Sequence, residues 1–144
     1  MIDVTPRPVI DTRLMTMTAG HKRKILNHAR RVFDLELTAM RQVRRSLGRD
    51  FVDAVTVLLK VLNSGGKIIV TGIGKNLPIA EKIAATLTST GAPSIVMNPV
   101  QAMHGDLGIL SRNDAVLILS YSGESEELTT LLPFIRRMGP QILS

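Results

Sequence analysis

The apolar positions along this chain change period as it proceeds, and each change marks an element. Between residues 22 and 47, Leu26, Ala29, Phe33, Leu37, Met40 and Leu47 fall mostly three, four or seven apart, the spacing of one long amphipathic helix. Its polar face carries Lys24, Arg30, Arg31, Arg41 and Arg45, and Gly48 is placed to stop it. Residues 51–62 are dense in Val and Leu and would suit a strand by propensity. That run is long for a strand, and Asn63-Ser64-Gly65-Gly66 punctuates it as a helix end.

The pattern then shortens. Residues 67–71 (KIIVT), 94–97 (SIVM) and 115–119 (AVLIL) are brief runs without alternation, as in strands buried on both faces of a parallel sheet. Between the first two, Ile79, Ile83, Ala84 and Leu87 predict a helix to about residue 90, with Pro78 in its first turn and Gly91-Ala92-Pro93 at its end. Residues 98–111 read as a connection, and Asn113-Asp114 turns into the third strand. After it, Leu128, Leu131 and Leu132 take up helical spacing. Helix, helix, strand, helix, strand, strand, helix is the order of an α/β fold with a doubly wound parallel sheet. Residues 1–18, with Pro6, Pro8 and alternating Thr and Met, keep no period. They read as a mobile tail, so the expected division is a tail over 1–20 and one domain over 21–144.

Composition narrows the class. A chain of 144 residues with 44% hydrophobic and 21% charged content is one soluble domain's worth. Without cysteine there is no disulfide framework, no thiolate chemistry and no cysteine-based zinc site. No run of 18 apolar residues occurs, and the first residues lack a basic region followed by an apolar core. Neither a membrane span nor a secretory signal is indicated, and a cytoplasmic location is expected. The net charge of +6 lies wholly in residues 1–50, where 11 Lys and Arg meet 5 Asp and Glu. Those cations sit largely on the amphipathic helix, and only three Phe and one Tyr are present to stack bases. A solvated helix face is therefore expected rather than a nucleic-acid surface.

The candidate chemistry lies on two strand-to-helix turns. The third strand ends in Ser120, Tyr121, Ser122, Gly123, Glu124 and Ser125. Open α/β sheets bind ligands where such turns line the crevice at the carboxyl ends of the strands. A helix start offers unpartnered N–H groups and partial positive charge, which suits phosphate, and Gly123 permits close approach of the backbone. The same serines also suit an ordinary capped turn with Ser122 or Ser125 as N-cap. The first strand ends in Gly72-Ile73-Gly74-Lys75-Asn76. A Walker A loop would need glycine at position 69 and Ser or Thr at 76, and a dinucleotide fingerprint would need glycine at 77. What remains is a close-approach turn that presents Lys75. Glu124, Glu126 and Glu127 crowd the last helix start, with Glu124 and Glu127 on one face by helical spacing. Either offers a general base, and either also serves simply as an acid favoured by the helix dipole. His104 lies in a glycine-flanked loop, where a histidine is freer to act than on an apolar helix face.

With these residues in view, the chain from about His21 to Gly139 resembles the sugar isomerase (SIS) domain of the arabinose-5-phosphate isomerases. The likeness rests on GGKIIVTGIGK at 65–75, HGDLG at 104–108 and SYSGESEEL at 120–128. It implies a flavodoxin-like fold and interconversion of D-arabinose 5-phosphate and D-ribulose 5-phosphate on the route to a lipopolysaccharide sugar. It also implies a homo-oligomer, usually a tetramer, with no metal or organic cofactor. By the same resemblance Ser120, Ser122, Gly123 and Ser125 form the phosphate-binding turn, supported by Gly72 and Gly74. Lys75, Glu127 and His104 then border the reacting carbons, and the long first helix packs between subunits. A non-catalytic phosphosugar-binding module or an inactive truncated fragment is the alternative. Two departures accompany the likeness. Asn76-Leu77-Pro78 replaces the small residues usual after the lysine, and the family domain continues where this chain ends. A sheet truncated after the third strand and its helix, with one edge of that strand unpaired, is therefore expected.

Overall fold

The structure, a computed structural model, describes residues 17–144; most of the expected tail lies outside the described residues. Helix α1 (Ala19–Ser46) begins three residues before the expected start. The Thr18 side chain accepts a hydrogen bond from the His21 N–H at 3.3 Å, a capping contact that carries the helix through Ala19 and Gly20. None of the residues of α1 is buried. The chain divides into two compact units between Leu47 and Gly48, and α1 belongs to the first.

The second unit runs α2 (Arg49–Asn63), β1 (Ile68–Gly72), α3 (Asn76–Ser89), β2 (Ser94–Met97), α4 (Pro99–Met103), β3 (Ala115–Leu119), α5 (Glu126–Met138) and β4 (Gln141–Leu143). All strands are parallel in the order β2-β1-β3-β4. Residues 51–62 are helical as expected, and 94–97 and 115–119 are strands at their expected bounds. Two expectations need correction. The connection at 98–111 contains α4, whose Asn98 side chain accepts from the Val100 N–H at 2.9 Å, and a short 3-10 helix over Asp106–Ile109. The third strand is not left unpaired, since Ala115, Val116 and Leu117 pair with Gln141, Ile142 and Leu143.

Alternate strand residues feed two cores, which is why the strands read as continuous apolar runs. Ile69, Met97 and Val116 pack with Ala102 of α4 and with Leu131 and Ile135 of α5. Ile68 and Val70 pack on the other face with Ala80 and Ala84 of α3, joined by Leu58 and Leu62 of α2. Each fully buried Ile, Val or Leu contributes roughly 1.5–3 kcal/mol relative to exposure. The cost of changing them is structural, and it leaves the strand ends for other work.

Two buried polar groups are satisfied within the sheet. The Thr71 hydroxyl donates to the Met97 carbonyl at 2.7 Å. Asp114, 1% exposed, accepts from the Lys67 N–H at 3.0 Å, the Lys67 ammonium at 2.6 Å, and the Ser111 N–H and hydroxyl at 2.7 Å each. Burial by itself would raise this carboxyl's pKa, but the bonds from Lys67 and Ser111 outweigh it and hold it below its ordinary value.

Candidate functional site

From β1 the chain winds one way to β2 and then returns to the other side of β1 for β3. The winding of the chain across the sheet reverses between β1 and β3, and a crevice opens at the carboxyl ends of strands on either side of such a switch. Gly72 lies opposite Leu119 in the register, so the turn after β1 and the turn after β3 begin at one level. The two candidate turns from the sequence therefore come together at the switch.

In the first turn, a Cβ on Gly72 would stand 2.9 Å from the Asn76 Cβ. Only a glycine lets the start of α3 return so close to the end of β1. Gly74 adopts φ 59°, and Lys75 occupies the N-cap position of α3 with its side chain exposed. In the second turn, Gly123 adopts φ 73°, a conformation that costs other residues roughly 1–2 kcal/mol. The Gly123 N–H donates to the Ser120 hydroxyl at 2.9 Å, and the Glu124 N–H donates to the Ser122 hydroxyl at 3.2 Å. Both serines thus order the turn as acceptors while their own hydroxyl hydrogens stay available to an anion. Ser125 takes the N-cap position of α5, yet its side chain makes no capping bond.

The open helix start and the serine hydroxyls make a cradle suited to phosphate. Ser120 and Gly123 also line a groove that runs along α5 with Thr129 and Arg136. Arg136 was not among the sequence candidates. It lies in the last turn of α5, and only the pairing of β4 beside β3 shows that it shares a groove with the serine turn.

His104, Glu126 and Glu127 line a second groove with Val100, Met103 and Thr130, between α4 and α5. The expected sharing of a helix face by Glu124 and Glu127 does not hold, because Glu124 precedes the N-cap at Ser125. Lys75 joins neither set of lining residues. Its helix packs on the opposite face of the sheet from α4 and α5, so the crevice separates the lysine from the histidine and glutamate. Among the described residues no group of three His, Asp or Glu is placed to hold a metal ion.

Another groove, lined by Lys60, Val61, Ser64, Arg112, Asn113 and Gln141 among others, opens at the amino ends of β3 and β4. It touches neither turn. The switch-point rule and the concentration of hydroxyl and charged groups place the candidate site at the carboxyl ends instead.

The region that carries these turns matches known proteins. The family model described as SIS domain matches residues 61–144. The arabinose 5-phosphate isomerase KdsD of Pseudomonas aeruginosa is 40% identical over 128 residues, which is 89% of this chain and 38% of that protein. The arabinose 5-phosphate isomerase GutQ of Escherichia coli K12 is 43% identical over 109 residues, 76% of this chain and 33% of that protein. The chain thus spans little more than a third of the length of these relatives. A solved structure from E. coli CFT073 in complex with arabinose 5-phosphate superposes with a TM-score of 0.78 at 33% identity, over 88% of this chain and 64% of that one. No helix among the described residues is long and apolar enough to cross a membrane.

Proposed function

Because the chain belongs to the SIS domain family, we propose that it binds a sugar phosphate at the β1–β3 switch point and contributes to aldose–ketose isomerisation, with arabinose 5-phosphate as substrate. The observation that carries this reading is the serine-lined start of α5, where Glu126 and Glu127 directly follow Ser125 and line a groove with His104. In this reading the phosphate sits on Ser120, Ser122, Ser125 and the N–H groups at the start of α5. Glu127 removes the proton from the carbon beside the carbonyl and returns it to the neighbouring carbon, so that a cis-enediol lies between aldose and ketose. Lys75, across the crevice, faces the oxygen on which negative charge develops, and His104 relays protons between the two oxygens. This division of labour suits residues held on opposite faces of the sheet, because a bound sugar spans the gap between them.

The test is turnover of arabinose 5-phosphate by the wild-type chain and by Glu127→Gln. Loss of one general acid–base group should lower kcat by roughly 10²–10⁴, with the thermal midpoint unchanged. Equal turnover in both would remove Glu127 from the mechanism. Binding without turnover, unaffected by Glu127→Gln, would instead support a phosphosugar-binding module.

The same proposal includes a homo-oligomer in the cytoplasm. What supports association is α1, which leaves Leu26 56%, Phe33 66% and Met40 67% exposed on a 28-residue helix with no buried residue. A stripe of that length is large for a monomer surface. Phe33→Lys with Met40→Lys should shift the mass measured by light scattering toward the monomer. An unchanged mass would take α1 out of the interface.

A further inference from the structure

One groove at the switch point touches the phosphate cradle only at Ser120 and includes none of the residues assigned to the proton transfer. Asn76, Ile79, Leu117, Leu119, Ser120 and Tyr121 line this groove, which bridges the turn after β1 and the turn after β3. Ser144 also lines it; apart from the two serines its walls are apolar except for the Asn76 carboxamide and the Tyr121 phenol. Tyr121 is the only tyrosine of the chain and is 102% exposed. An aromatic ring fully in water forgoes the burial that makes such side chains favourable, and this one stands beside the serine cradle. Asn76 is fixed differently. Its N–H donates to the Ile73 carbonyl at 3.1 Å, and its Cβ is packed against the bare α carbon of Gly72. The backbone thus sets its position and leaves its carboxamide for the crevice.

We infer that Asn76 and Tyr121 are the specificity-determining pair for the sugar end of the ligand. The inference rests on the phosphosugar reading of the site. A carboxamide presents both donor and acceptor, and a phenol presents one of each. Neighbouring hydroxyls of a polyol are matched by both halves of such a pair, whereas an ionised phosphate, an acceptor, can use only its donors. The tyrosine ring covers the apolar edge of the bound sugar, and its hydroxyl reads one oxygen. Asn76 reads a second from the other wall. A site that pairs with hydroxyls rejects ligands lacking them, because its own polar groups are then left unpaired.

Calorimetric titration of the full chain with arabinose 5-phosphate and, separately, with inorganic phosphate tests this in wild type, Asn76→Ala, Tyr121→Phe and Ser122→Ala. Asn76→Ala and Tyr121→Phe should each weaken arabinose 5-phosphate by about 2- to 10-fold, the value of one neutral hydrogen bond, and leave inorganic phosphate unchanged. Ser122→Ala should weaken both ligands. Unchanged arabinose 5-phosphate affinity in both variants would overturn the inference, as would an equal loss for both ligands, which would mean that the residues only shape the turns. If wild type binds phosphate but arabinose 5-phosphate no more tightly, the specificity pair is lost and the phosphate cradle stands. If wild type binds neither, the underlying reading falls and this inference falls with it.

Discussion

At the amino ends of β1 and β3, Asp114 is buried and takes four hydrogen bonds from Lys67 and Ser111. At the carboxyl ends of the same two strands, Lys75, Tyr121, Ser122 and Glu124 are exposed, and the serine hydroxyls accept from the turn without being exhausted by it. The strands are alike in composition and pairing, so the contrast belongs to the turns. Where polar groups are closed on one another they hold the strands in register and can recognise nothing else. Where they are left open at glycine-permitted turns they contribute less to folding and remain available to a ligand. Local stability and binding capacity are thus placed at opposite ends of one sheet, as expected when function draws on the less stable parts of a fold.

Breaking the closed end should have the largest effect on stability. Removing one partner of a buried, hydrogen-bonded ion pair is worth about 3–5 kcal/mol. Lys67 keeps 29% of its side chain exposed and can rehydrate in part, so Asp114→Ala should cost about 3 kcal/mol in urea unfolding. Phosphate affinity of the folded fraction should not change, and a parallel loss of affinity would show that the two ends are coupled. Acid should also weaken the wild type. The folded carboxyl lies below its ordinary value of 3.8, so its contribution is complete above that pH and is lost as the pH falls through the lower, folded value. Asp114→Asn, which cannot ionise, should lack that part of the acid slope. An identical slope in both proteins would assign the acid sensitivity to other carboxylates.

These two ends were unequally legible in the sequence. The strands at 94–97 and 115–119 and the helix ending at Asn63 follow from continuous apolar runs and glycine punctuation, since burial on both faces leaves a plain imprint. The serine and lysine turns were legible because a strand, a glycine and a helix start occur in fixed order. Three things were not. The strand Gln141–Leu143 is too short to show a period, and its partner Ala115–Leu117 is remote in sequence. Helix α4 is a single turn set by Asn98 and Pro99, below the length at which spacing is informative. Asp114 reads as a turn residue, and its bonds to Lys67, 47 positions away in sequence, depend on the intervening chain closing into the sheet. The face relation of Glu124 and Glu127 failed for a local reason: Ser125, extended at ψ 123°, separates Glu124 from the helix on which Glu127 lies.

The smallest effects should come from the open end, and there two neighbouring serines divide the roles. The Ser122 hydroxyl accepts from the Glu124 N–H, so Ser122→Ala removes a turn bond and a ligand bond together. It should lower thermal stability by about 0.5–1.5 kcal/mol and weaken phosphate binding by about 1–3 kcal/mol, the range for hydrogen bonds to a charged group. Ser125 makes no capping bond, so Ser125→Ala should lose comparable affinity while the melting temperature stays within a degree or so, there being no native contact to lose. Titration with inorganic phosphate beside a thermal melt of each variant separates the two quantities. If Ser125→Ala lowers stability and leaves affinity intact, the hydroxyl caps α5 in solution and the serine turn is an ordinary helix start. If affinity falls and stability does not, its freedom from the fold is what qualifies it for the ligand.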